Sequence, residues 1–131
     1  MITNLFEIGN QKFFSKLVEQ ADCAQFNSGL VHPVYATFAL GRDAEWACRL
    51  FVLEMKEEQE EGIGTFLNIS HKSPALIGSI VEFTATIKSI QKNEIICTFI
   101  AKVGNRIIAE GEQGQKIIAK QKLEKLFEEL K

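Results

Sequence analysis

The chain has 131 residues, 46% of them hydrophobic and 24% charged, with a formal charge of −2. That length suits one domain with a real core and a solvated surface. The charge balance argues against a nucleic-acid partner, and no apolar run approaches the ~18 residues that a membrane span needs.

The N-terminus, MITNLFEIGN, lacks a basic start followed by an apolar stretch, so no signal peptide is expected. Residues 11–20, QKFFSKLVEQ, fit either a strand or a helix. The next stretch, ADCAQFNSGLVHP, carries Asn27, Ser28, Gly29 and Pro33 and reads as a loop. From about Ala36 to Met55 the spacing predicts a helix. Thr37, Leu40, Gly41, Ala44, Cys48, Phe51, Val52 and Met55 form one stripe. Phe38, Trp46, Leu50 and Leu53 lie off it, so the helix is apolar nearly all round. A helix of that kind is expected to be buried on more than one side, which points to a second subunit related by a two-fold.

After the acidic connection KEEQEE, turn signals separate strands at about 62–70, 78–90, 94–103 and 106–118. Val81, Phe83, Ala85 and Ile87 alternate on one face, and VGNR reads as a tight hairpin turn. The end, QKLEKLFEELK, predicts a packed terminal helix at about 119–130, with Leu123, Leu126, Phe127 and Leu130 on one face. The expected architecture is a single α+β domain, an antiparallel sheet wrapped around one long central helix. Cys23, Cys48 and Cys97 are odd in number, scattered and without C-x-x-C. They read as buried thiols of a reduced, cytoplasmic protein. With only two histidines beside them, no metal site is expected.

Three polar residues fall in awkward places. Thr37 opens the helix, where the plain reading is an N-cap; its alternative is a hydroxyl beside free helix N–H groups, suited to a carbonyl oxygen. Glu45 borders the apolar stripe, and an ion pair with Arg49 competes with a role as base or nucleophile. His71 follows the strand parity of Ile63, Thr65, Leu67 and Ile69, toward the helix, while Gly64, Phe66, Asn68 and Ser70 take the other face. A hydrogen bond to loop backbone competes there with proton transfer. Together, a hydroxyl, a carboxylate and an imidazole are the usual parts for acyl transfer.

VYATFALGRDAEWACRLF and GIGTFLNISHKSPALIGSIVEFTATI carry a resemblance across roughly residues 8 to 118. The chain resembles the hot-dog-fold thioesterases, specifically the fluoroacetyl-CoA thioesterase-like branch. Thr37, Glu45, His71 and Gly64 match that family's threonine, glutamate, histidine and strand glycine in ungapped register. The resemblance implies a homodimer, possibly pairing into a tetramer, whose sheets join edge to edge with an acyl-CoA site at the interface. It also implies no cofactor beyond the CoA of the substrate. Thr37 and the Gly64 N–H would polarise or position the thioester carbonyl. Glu45 would attack it or activate water, and His71 would move protons. Phe26 lies in the loop where that branch carries its lid phenylalanines.

The last strand departs from the family pattern. Where G-x-H-x-R is common, EGEQGQKII puts Gly114 at the histidine position and Lys116 at the cation position, from which it would meet a CoA phosphate. A non-catalytic acyl-CoA or fatty-acyl binding module on the same fold is the alternative. A hot-dog hydratase ranks lower, because no D-x-x-x-x-H occurs.

Overall fold

A computed structural model describes residues 1–26 and 29–131; the side chains of Phe26, Leu30 and Val31 also lie outside the described residues. Nine elements follow in order, with a short 3-10 turn between the first two: β1 (Gln11–Leu17), the turn (Gln20–Asp22), β2 (Cys23–Phe26), β3 (Gly29–Tyr35), α1 (Thr37–Met55), β4 (Glu60–His71), β5 (Ile80–Gln91), β6 (Glu94–Val103), β7 (Arg106–Ala119) and α2 (Lys120–Glu129). The antiparallel main sheet runs β1-β5-β6-β7-β4, and β2 and β3 form a separate two-stranded sheet.

The ambiguous residues 11–20 contain a strand, β1, which alternates half-buried and exposed positions. The expected loop at 21–33 is corrected to the 3-10 turn and the β2–β3 pair, apart from Asn27 and Ser28, which lie outside the described residues. Its turn residues had masked two short extended runs. Gly104, with φ of 59°, opens the two-residue turn between β6 and β7, the conformation glycine adopts without a Cβ penalty.

Helix α1 packs against one face of the main sheet and buries Ala39, Leu40, Gly41, Ala44, Ala47, Cys48, Phe51, Val52 and Met55. Small side chains let it approach closely. A Cβ on Gly41 would sit 2.9 Å from Ile69 Cδ1 and 3.1 Å from Leu67 Cδ2. From the sheet, Val81, Phe83, Ala85 and Ile87 of β5 and Ile95, Cys97, Phe99 and Ala101 of β6 complete the core. Each large side chain so buried contributes about 1.5–3 kcal/mol. Phe38, Trp46 and Leu53 are exposed, so within the single chain α1 buries one side only. The packed terminal helix is likewise corrected: α2 forms, but none of its residues is buried. Leu123 is half-buried, while Leu126, Phe127 and Leu130 are exposed. No helix among the described residues is long and apolar enough to cross a membrane.

A polar clamp fixes the start of α1. Asp22 is buried, accepts from Glu19 N–H at 3.0 Å and Arg42 Nη2 at 2.9 Å, and pairs with Lys16 Nζ at 3.2 Å. Arg42 also holds the buried Asp43, which accepts from the Tyr35 hydroxyl. Burial pushes the Asp22 carboxyl up, but the Glu19 N–H, Arg42 and Lys16 outweigh it and hold the group below its ordinary 3.8. A depressed folded-state pKa means stabilisation that is present above the unfolded value and lost as pH falls through the folded one. Urea midpoints should therefore drop as pH falls below about 4. Asp22→Asn should cost about 2 kcal/mol at neutral pH and flatten part of that acid limb. The remainder belongs to Glu60, held down by the N-terminal ammonium, and Glu61, held down by the Gly62 N–H. An unchanged acid limb in Asp22→Asn would contradict the clamp.

Candidate active site

Strand β4 sets the site through one irregularity. Gly64 pairs with Gln115 and Phe66 with Gly114, which leaves Thr65 as an extra residue. Such a bulge reverses the side-chain alternation beyond it. Before it, Gly62 and Gly64 face α1: a Cβ on Gly62 would overlap Val52 Cγ1, and one on Gly64 would overlap Glu45 Oε1. After it, Leu67, Ile69 and His71 face α1. The expected parity is corrected accordingly. Ile63 and Thr65 are not on the helix face, and Gly64 is. In a regular strand Gly64 and His71, seven residues apart, would take opposite faces; the bulge puts both toward the helix.

Thr37 does not cap α1. Ala36 occupies the N-cap without a side-chain hydrogen bond, and Thr37 is the first helical residue. Its Oγ1 lies 2.9 Å from His71 Nδ1. The imidazole therefore meets a hydroxyl rather than loop backbone. His71 Nε2 is buried and has no hydrogen-bond partner among the described residues. With Nδ1–H donated to the Thr37 hydroxyl, Nε2 is an acceptor free to take a proton; with Nδ1 accepting from that hydroxyl, Nε2–H is a donor.

Glu45 does not pair with Arg49. Arg49 turns to Glu61 Oε1 at 2.9 Å, the Gly62 carbonyl at 3.0 Å and Gln115 Oε1 at 3.3 Å. Glu45 instead accepts at Oε1 from Gln113 Nε2, 3.0 Å away, against the space left by Gly64. Thr37 and Glu45 are eight residues apart on α1, about 12 Å of rise. One chain therefore presents two foci, Thr37 with His71 and Glu45 with Gly64.

Lys116 is exposed, on the face of β7 opposite Gln115, and Gly114 packs under Phe66 and Thr65. Neither joins the two foci. The last-strand residues that do approach α1 are Gln113 and Gln115, both 1% exposed. Counting back by twos from the apolar Ile117 would have found them. Phe26 lies in β2, with its side chain outside the described residues. Hydrogen bonding to Cys97 and burial push the Cys48 thiol up, so it offers no thiolate at neutral pH. Among the described residues no group of three or more His, Cys, Asp or Glu is placed to hold a metal ion.

Gly64 also gives a direct test of the Glu45 focus. The atom in the way of a new methyl group is the tip of a flexible side chain, so Gly64→Ala should fold. Its Glu45 carboxylate must rotate off Gln113. A displacement of about 1 Å can cost 10²-fold in rate, and kcat should fall by about that factor with the melting temperature within a few degrees of wild type. Wild-type turnover in Gly64→Ala would show that the contact is not used.

The model of the fluoroacetyl-CoA-specific thioesterase family, FlK, matches residues 18–121. The chain belongs to that family. As a member of the FlK family it is a thioester hydrolase with the hot-dog fold. A Thermus thermophilus hypothetical protein, a thioesterase superfamily member, is 32% identical with a TM-score of 0.92, covering 98% of this chain and 95% of that one. A mutant of FlK itself is 18% identical with a TM-score of 0.89, covering 98% and 100%. A hot-dog-like protein from Thermanaerovibrio acidaminovorans is 20% identical with a TM-score of 0.87, covering 95% and 93%. No curated protein matches.

Proposed function

We propose that this FlK-family thioesterase hydrolyses a small or activated acyl-CoA to the free acid and CoA, using Thr37, Glu45 and His71. The observation that carries this is the Glu45 carboxylate held against the β4 backbone at Gly64, in the space that the missing Cβ leaves, with Gln113 fixing one of its oxygens. In the reaction the carbonyl carbon gains a bond to oxygen, from water directly or through a glutamyl anhydride that water then opens. The C–S bond breaks, and a proton delivered through His71 leaves with the CoA thiol. The Gly64 backbone and Thr37 position the carbonyl, and no cofactor is required.

A homodimer completes the reading. Strand β4 is a 12-residue sheet edge carrying the exposed Ile63 and Leu67, a surface that favours pairing. Two-fold pairing of β4 with its copy would run the strands antiparallel. That would bring the Glu45 end of one chain toward the Thr37–His71 end of the other, across the 12 Å that separates the foci in one chain. Three buried free thiols suit a reducing, cytoplasmic setting.

The test is thiol release by the purified protein across a panel of acyl-CoAs, from acetyl to long-chain and including electron-poor short acyl groups. Turnover concentrated among short or activated thioesters supports the reading. Tight binding without turnover would support the acyl-binding module instead.

A further inference from the structure

Gln113 and Gln115 are fully buried on the helix-facing side of the sheet, next to the apolar Ile117. Burying an amide is costly unless its polar atoms are paired. Here they are paired in one direction. Arg49 Nη1 donates to Gln115 Oε1 at 3.3 Å, Gln115 Nε2 donates to Gln113 Oε1 at 3.0 Å, and Gln113 Nε2 donates to Glu45 Oε1 at 3.0 Å. The two ends dictate the sense of the chain. A guanidinium can only donate, so the carbonyl end of the Gln115 amide must face it; an ionised carboxylate can only accept, so the NH₂ end of Gln113 must face Glu45. Either amide flipped would set two like groups against each other. Gln113 Nε2 also reaches the Gly114 carbonyl at 3.0 Å, and Gln115 Nε2 lies 3.5 Å from the Glu45 carbonyl, which anchors both amides in the same sense.

We propose that Gln113 and Gln115 are positioning residues for Glu45. Arg49 orients Gln115, Gln115 orients Gln113, and Gln113 pins one carboxylate oxygen so that the other, unpartnered among the described residues, points at the reacting carbonyl. The inference rests on the role given to Glu45 above. It extends that role to two residues outside the Thr-Glu-His set.

The test is steady-state kinetics on the best substrate of the acyl-CoA panel, with thermal melting as a check on folding. Gln113→Met keeps the volume and removes the donor, and kcat should fall about 30-fold with KM within about twofold. Gln115→Met should cost about 5-fold in the wild-type background and nothing further in the Gln113→Met background, because it acts only through Gln113. Gln115→Glu keeps the shape and the contact with Arg49 but draws the Gln113 NH₂ group away from Glu45. It should lose at least 10-fold in kcat and decides the matter if a methionine variant folds poorly.

Wild-type kcat in Gln113→Met or Gln115→Glu would overturn the relay. So would an equal Gln115→Met penalty in both backgrounds. Those results leave Glu45 catalysis standing if Glu45→Ala is inactive. Full activity in Glu45→Ala, or no hydrolysis by the wild type, removes the functional reading and the relay with it.

Discussion

Glu45→Ala is expected to lower kcat by about 10³-fold or more, with little change in KM. Among the described residues the Glu45 carboxylate is the group held at Gly64 with the chemistry to attack a thioester or take a proton from water, and losing the proposed role costs on that order. The effect should be confined to chemistry. Thr37 and His71 hold each other, and Glu45 is itself half-buried rather than part of the sealed core. A melting temperature close to that of wild type should accompany the loss. Glu45→Asp separates the two chemistries. A nucleophile must come within about 3–3.5 Å of the carbonyl carbon, so shortening it by one methylene should cost nearly as much as alanine. A base working through water can tolerate the gap and should retain a few per cent of the rate. Glu45→Ala turning over like wild type would remove this residue from the mechanism.

Gly111→Ala should have the largest effect on stability, about 4 kcal/mol, seen as a melting temperature lower by at least about 10 °C. Gly111 pairs with Ile69 across β4–β7. A Cβ there would overlap the Asn68 carbonyl oxygen and lie 2.9 Å from both the Asn68 carbonyl carbon and Phe99 Cζ. Two of those three atoms are backbone in a hydrogen-bonded strand and the third belongs to a core ring, so none can yield cheaply. The contrast with Gly64 is informative. Both glycines lie on the β4–β7 pair, but one faces the tip of a side chain and the other a main chain, so one substitution should disable the site and the other the fold. A Gly111→Ala protein melting within about 3 °C of wild type would contradict the close approach.

Local patterns were sufficient for much of this molecule. The helix expected at about Ala36–Met55 forms at Thr37–Met55, and the Val81, Phe83, Ala85, Ile87 alternation faces the core as expected. The turn at VGNR forms around Gly104. These depend on periodicity and turn chemistry within a few residues. Thr37, Glu45 and His71 stand out in the sequence as polar residues beside apolar positions, at the spacing of the family they resemble.

Interactions between elements decided the rest. The bulge at Thr65 is a mismatch of count between β4 and β7, and neither strand encodes it alone. It nevertheless sets the facing of Gly64 and His71. Helical spacing allowed Arg49 to reach Glu45, but Glu61 and the Gly62 carbonyl, brought in by β4, draw the guanidinium away. Period two in β7 places Gln113 and Gln115 with Ile117, yet only the arrival of α1 gives those amides a carboxylate and a guanidinium to join. Periodicity can say which face a side chain takes, because that follows from the geometry of its own element. What meets it there depends on the register of distant strands and on competition among partners, and both arise only when the chain has closed on itself.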